Sequence, residues 1–287
     1  MNRRISSDGK ELIDTQGRLY RLQDNVYQEI KTASRLQAIL GSGWYLDEDD
    51  NAINIQGERL PFSFESIIKT IIYSNNRYYI LLEAGQVHTT EHNDKNVIKL
   101  MALDINQLWL DNDWRIMMIN RYNYLIIHST SYSERNDRMI FRDGNFANTV
   151  TARSSHILYD DNVLLIVNYR VSLIDTTTTR YKLPIPVIDV TRYSQRSVIL
   201  LGEDHKLYEF NLQSLKLTPV TENCSELEGR EIVKLIAGSS NLESILIFQD
   251  SNDRFYNLTG TCELIEISVP SLFYKRQVPP KSARFKD

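Results

Sequence analysis

The sequence predicts an all-β fold built from repeated antiparallel sheets, and three observations carry that prediction. A phrase recurs: a short apolar run, a polar turn of Asp, Asn, Glu or Gly, then a run containing an aromatic. Its copies return roughly every 35 to 47 residues, within the range of internal periods that marks propellers and solenoids. Each copy alternates or is briefly apolar, as a hairpin does, and shows no helical stripe.

Taken in order, the copies are Leu12 to Leu22 (LIDTQGRLYRL), Trp44 to Ile55 (WYLDEDDNAINI), Tyr79 to Thr90 (YILLEAGQVHTT), Leu164 to Asp175 (LLIVNYRVSLID), Val198 to Phe210 (VILLGEDHKLYEF) and Ile245 to Leu258 (ILIFQDSNDRFYNL). A copy with a stretched turn spans Leu125 to Phe141 and brings the number to seven. The third unit parses into four strands: Ile67 to Tyr73, Tyr79 to Glu83, Gln86 to Thr90 and Asn96 to Leu100. The sixth parses as Val187 to Val190, Ser197 to Leu201, Lys206 to Phe210 and Lys216 to Val220. The last gives Ile232 to Ile236, Ser244 to Phe248, Arg254 to Leu258 and Glu263 to Ser268, separated by turn-forming Gly, Ser, Asn and Asp.

Four short strands per period make one propeller blade. The expected architecture is therefore a single propeller of seven blades, with six as the alternative because Met101 to Asn120 can be read as an extra hairpin or an insertion. The N-terminal unit is short of four strands, so a strand from one terminus is expected to complete a blade begun at the other and close the ring, which removes exposed edges. Residues 1–274 form the propeller in this reading, and residues 275–287 a basic tail containing Pro279 and Pro280.

Composition narrows the function classes. The chain has 287 residues, 42% hydrophobic and 24% charged, with 16 Tyr, which suits pleated, half-buried surfaces in a globular protein. The formal net charge of −4 comes from intermixed signs, so no broad phosphate-attracting field is expected and nucleic acid enters only as a contact of the tail. No apolar run reaches the roughly 18 residues of a membrane span, and MNRRISSDGK has no secretory apolar core. The two cysteines, Cys224 and Cys262, are too few for a disulfide framework and are read as reduced thiols. Together these features place the protein inside a cell, in the cytoplasm. Asn223-Cys-Ser and Asn257-Leu-Thr fit the glycosylation acceptor pattern, which without a secretory route is a chance match.

The runs Val187 to Phe210 and Val233 to Asp250 resemble degenerate repeats of the regulator-of-chromosome-condensation propeller family, in which a strand ending in small residues precedes an apolar strand, an acidic-Gly turn and an aromatic strand. Ile71 to Val87 repeats the pattern with Gly85 in its turn. The family's glycines after the third strand and its His before the second are mostly missing here. The resemblance implies the propeller fold and, as one version of function, a contact with a small GTPase or chromatin.

No catalytic motif finds its required context. His88-Thr-Thr-Glu91-His92 matches an inverted zinc-protease pattern, but that pattern needs a helix and this stretch follows a β run. Asp47, Asp49, Asn51 and Glu58 stand at the first, third, fifth and twelfth positions of a calcium loop, while Ala52 replaces the Gly its sharp turn needs. Trp44, Trp109 and Trp114 are read as packing residues. The expected function is non-enzymatic and without cofactor: a propeller that binds a protein partner through irregular loops at Ser129 to Arg138 and Thr221 to Arg230. Ser133, Glu134 and Arg135 in the first loop, with Lys275 and Arg276 of the tail, are the candidate contacts. The alternatives are a structural subunit docking by its tail, intracellular or viral, and an enzyme with carboxylates converging in the central channel.

Overall fold

A computed structural model describes residues 4–6, 9–90, 97–110, 116–122, 125–128, 138–140, 148–152, 155–160, 163–169, 176–194, 196–238 and 246–270. These form seven antiparallel sheets, each a meander of consecutive strands, and no α-helix occurs among them.

The first sheet contains β1 (Glu11–Ile13), β2 (Leu19–Gln23) and β3 (Val26–Ile30), and the second β4 (Leu36–Gly41), β5 (Trp44–Asp47) and β6 (Ala52–Ile53). The third has β7 (Ile68–Ser74), β8 (Arg77–Leu82), β9 (Val87–Thr90) and β10 (Ile98–Ala102). The fourth has β11 (Ile105–Leu110), β12 (Ile116–Asn120), β13 (Leu125–His128) and β14 (Arg138–Ile140). The fifth has β15 (Asn148–Ala152), β16 (Ser155–Asp160), β17 (Val163–Tyr169) and β18 (Thr176–Lys182). The sixth has β19 (Val187–Arg192), β20 (Ser197–Gly202), β21 (Leu207–Asn211) and β22 (Lys216–Pro219). The seventh has β23 (Ile232–Gly238), β24 (Leu246–Asp250), β25 (Phe255–Leu258) and β26 (Leu264–Ile267). Within the Met101 to Asn120 stretch, Met101 and Ala102 end β10, and Ile105–Leu110 and Ile116–Asn120 are the first two strands of the fourth sheet.

The two sheets of three strands are extended by single bridges. Ile5 pairs with Leu12 beside β1, and Arg59 pairs with Ile53 beside β6. First strands of successive sheets lie against each other, β4 on β7, β7 on β11, β15 on β19 and β19 on β23. Sheets therefore pack face to face around the line of their first strands, and a second strand covered on both faces is buried along most of its length. Ser197–Gly202 is buried at every position, and Ile116–Ile119 likewise. Outer strands read differently: Lys99 and Leu100 of β10 and Lys216 of β22 are exposed.

The terminal sheets also meet. Leu12, Tyr20 and Tyr27 pack with Ile247, Phe255 and Ile267. Ser268 bridges Val26 in parallel, its amide donating to the Asn25 carbonyl at 3.3 Å, and the Asn257 amide donates to Asn25 Oδ1 at 3.0 Å. At this junction the described residues give one bridge.

The recurring phrase has a physical cause in its turn. Asp14 Oδ1 accepts the backbone N–H of Gln16 (2.8 Å) and of Arg18 (3.0 Å). Asp47 does the same for Asp49 and Asn51, Asp250 for Asn252 and Arg254, and Asn54 for Gln56 and Glu58. The fourth residue of each turn lies in the left-handed region: Gly17 at φ 80°, Asp50 at 62°, Asp253 at 63° and Gly57 at 85°. A side-chain oxygen thus replaces the missing ladder partner of a five-residue hairpin, and Gly, Asp or Asn tolerates the backbone that follows.

Asp14 is the most buried of these, at 0% exposure, and it also accepts Arg18 Nε (2.8 Å) and the Tyr20 hydroxyl (3.2 Å). Burial alone would raise its carboxyl pKa; the bonds from Arg18 and Gln16 outweigh burial and hold it below the usual carboxylate range. A depressed folded-state pKa contributes stability above the ordinary carboxylate value near ~4, which is lost as pH falls below it. Asp14→Asn keeps the acceptor for the turn but loses the charge, so we expect it to cost about 1–2 kcal/mol at neutral pH. In urea titrations the gap to wild type should close below about pH 4; a gap unchanged at low pH would show that the charge contributes nothing.

One sequence expectation is corrected here. Cys224 and Cys262 form a disulfide with Cα atoms 5.3 Å apart, across a separation of 38 residues. That separation is about one repeat period, so the fold returns the chain to the same level one sheet later. Cys224 lies between two short 3-10 turns (Val220–Glu222 and Ser225–Leu227) in the crossing from sixth to seventh sheet, and Cys262 lies in the turn before β26. The reading of both as reduced thiols is overturned by this bond.

Candidate interaction surface

The hairpin turns and the crossings between sheets are stapled together on one face. Four turns after a second strand donate to the crossing that enters their own sheet: Glu83 N to Ile67 O (2.8 Å), Arg121 N to Asp104 O (2.7 Å), Glu203 N to Pro186 O (3.1 Å) and Ser251 N to Glu231 O (2.9 Å). Two of these turns, and the β1–β2 turn, accept from the next sheet's first strand: Gly85 O from Ile105 N (2.8 Å), His205 O from Ile232 N (3.0 Å) and Gly17 O from Leu36 N (2.9 Å). Gly85 holds φ 81°, and a Cβ there would stand 3.3 Å from Ile105 O, so both conformation and space call for glycine. The face is consequently rigid backbone carrying variable side chains, the arrangement suited to recognition.

Near this face the first strands are bulged at the same place. Register skips one residue between Leu36 and Ala38, Ile68 and Thr70, Ile105 and Gln107, Val187 and Asp189, and Ile232 and Lys234. A bulge releases a residue from the ladder and re-aims its side chain. Lys69 Nζ uses one freed group, donating to Asn106 O of the neighbouring sheet at 2.8 Å. Ile188 (42% exposed) and Val233 (37%) occupy the same place on the adjacent strands β19 and β23.

The sharpest feature lies where the third and fourth sheets meet. Leu103, in the crossing, is 57% exposed, and Tyr122, in the turn, is 60% exposed. Asp104 and Arg121, next to them in sequence, hold the two segments together through the backbone bond and an ion pair at 3.2 Å. The Arg121 guanidinium lies 4.8 Å from the centre of the Tyr122 ring and also donates to its hydroxyl (2.6 Å), while Asn120 Oδ1 accepts the Tyr122 N–H at 3.0 Å. Leu100 of β10, 53% exposed, precedes Leu103 by one short step along the chain, and Ile67, 42% exposed, sits across the Glu83 turn.

The Tyr208 hydroxyl donates to Asp204 at 2.6 Å, and burial followed by that carboxylate pushes its pKa up to about 12. Elsewhere Tyr45 donates to Glu11 and is pushed far up by burial and that carboxylate. His88 on β9 lies 5.1 Å from the Phe64 ring, and burial lowers its pKa, favouring neutral imidazole.

The residues singled out from sequence fall out as follows. Ser133, Glu134, Arg135, Lys275 and Arg276 lie outside the described residues, as do Glu91, His92 and Trp114. Asp47, Asp49 and Asn51 share one turn, where both Asp47 carboxylate oxygens accept from Asn51, whereas Glu58 belongs to the following turn and accepts from Asn54 at 2.7 Å. No group of three His, Cys, Asp or Glu side chains suited to a metal ion occurs among the described residues. Trp44 packs edge-on to Tyr78 at 6.2 Å, as a packing residue should. Leu103 and Tyr122 were not found from sequence. A lone exposed Leu or Tyr carries no periodic signal, and the only hint was the imperfect hairpin at Asn120-Arg-Tyr-Asn.

No known protein-family profile matches the chain, and no curated protein matches it in sequence. Solved structures do match in shape. YCF48 from Cyanidioschyzon merolae superposes with a TM-score of 0.56 at 12% identity, over 92% of this chain and 93% of that one. YCF48 bound to D1 peptide gives 0.55 at 9%, over 91% and 88%. The WD40 domain of SCAP from fission yeast gives 0.52 at 11%, over 73% of this chain and 57% of that one. Sheet order, packing around the first strands and these likenesses agree on the architecture: the chain is a β-propeller.

Proposed function

We propose that this propeller is a non-catalytic protein-interaction module and that it engages a peptide segment of a partner on the turn-and-crossing face, with Leu103 and Tyr122 as anchors. The observation that carries this reading is that the two most exposed large apolar side chains among the described residues lie on two segments that the Asp104–Arg121 backbone bond and ion pair hold together. Exposed aromatics held rigidly contribute most to binding, because little side-chain freedom is lost on association. A peptide is the partner in one of the similar structures, which supports the choice by analogy of fold only. In the same reading the seven sheets are seven blades of degenerate regulator-of-chromosome-condensation type, and the Ser268 bridge marks where the ring closes.

The test is affinity capture of wild type and of the Leu103→Asp, Tyr122→Ala double variant from native lysate, with the recovered partner then titrated against both. We expect a stoichiometric partner whose affinity falls at least about tenfold in the variant, with melting temperature unchanged. A partner bound equally by both proteins would remove this surface from the function.

A further inference from the structure

We propose that the Cys224–Cys262 bond is installed by a dithiol–disulfide relay protein in an oxidising compartment that does not N-glycosylate, and that the native chain carries this disulfide and no N-linked glycan. The first half rests on placement. The chain's two cysteines lie on different segments, the crossing of residues 220–231 and the turn before β26, and the fold brings them into one bond. Cys224 is 3% exposed and packs with Val220, Leu227, Leu246 and Leu258, while Cys262 is half-buried against the same cluster, so the fold covers the bond on its Cys224 side. Disulfides of this kind belong to oxidising compartments.

The second half rests on Asn257-Leu-Thr259, an acceptor triplet for N-linked glycan. Asn257 lies on β25 and is 8% exposed, with its amide nitrogen bonded to Asn25 Oδ1 where the last sheet meets the first. The nitrogen a glycan would use is therefore the one that bonds the terminal sheets together. Glycosyl transfer onto the unfolded chain would place a bulky polar group in that junction and prevent it from forming. Asn223 of the triplet Asn223-Cys-Ser225 is exposed and would tolerate a glycan; buried Asn257 would not. The two cysteines thus argue for oxidation and Asn257 argues against the glycosylating route.

The chemistry balances simply. The two thiols lose two protons and two electrons to the disulfide of the relay protein, which leaves as its dithiol.

Two measurements test the proposal. Protein purified from its native source is denatured in N-ethylmaleimide and weighed intact: we expect the chain mass less two hydrogens, no adduct and no sugar. Two maleimide adducts would overturn the oxidised half, and a glycan at Asn223 or Asn257 would overturn the compartment. Wild type and Thr259→Ala are also expressed behind a eukaryotic secretion leader. We expect wild type to be glycosylated at Asn257 and retained, and the variant, which keeps Asn257 but loses the acceptor triplet, to be secreted with its disulfide formed. Equal secretion of a wild type glycosylated at Asn257 would overturn the argument from burial.

Discussion

Replacing Cys224 by Ser in the oxidised protein is expected to cost about 3–4 kcal/mol, the chain-entropy value for a cross-link closing a loop of this length. The loop of 38 residues holds β23, β24, β25 and the crossing that leads into them. Unfolded and linked, that segment has fewer conformations to lose on folding. The bond also supports a packed set: Leu264 N donates to Glu226 Oε2 at 2.9 Å, and Arg230 lies 4.5 Å from the centre of the Tyr256 ring. Without the disulfide these contacts alone must hold the crossing against the last sheet. The expected fall in melting temperature is roughly 5–7 °C, and wild type refolded in strong reductant should melt with the variant. If the variant melts within a degree or two of oxidised wild type, the disulfide restrains little.

Phe248→Ala is the second large effect, at about 3–5 kcal/mol, from lost transfer energy plus the cavity left behind. Phe248 is fully buried on β24 and stacked on Tyr256 at 5.7 Å, inside a cluster that includes Ile199 and Leu201 of the sixth sheet and Leu235, Leu246 and Leu258 of the seventh. Both faces of a second strand are covered, so no neighbour can relax toward solvent to refill the space. Leu100→Ala on the exposed outer strand β10 serves as the control and should stay within about 0.5 kcal/mol of wild type. Urea titration should show the midpoint fall for Phe248→Ala with its slope unchanged. A cost below about 1 kcal/mol would mean that the two sheets do not pack as a single core.

The strands were legible in sequence where local chemistry decides. The last unit's expected strands match β23, β24, β25 and β26 to within two residues at each boundary. That agreement has a simple origin: strand alternation and the Asp250 turn are both short-range, set within five residues of chain. The same turn chemistry explains why Asp47 to Asn51 looked like a calcium loop. Oxygen-bearing residues at alternate positions suit a cation, but they equally suit a hairpin whose missing backbone bonds are supplied by its own carboxylate.

By itself the sequence determined the strands, their turns and the all-β repeat, because side-chain period and turn residues act over a few positions. Only the tertiary structure decided what lies one repeat or one whole circuit apart. It joined Cys224 to Cys262, set Asn257 against Asn25, and drew Leu103 and Tyr122 into one exposed corner. Those contacts depend on how sheets stack around their first strands, and stacking is a property of packing that no local pattern of residues encodes.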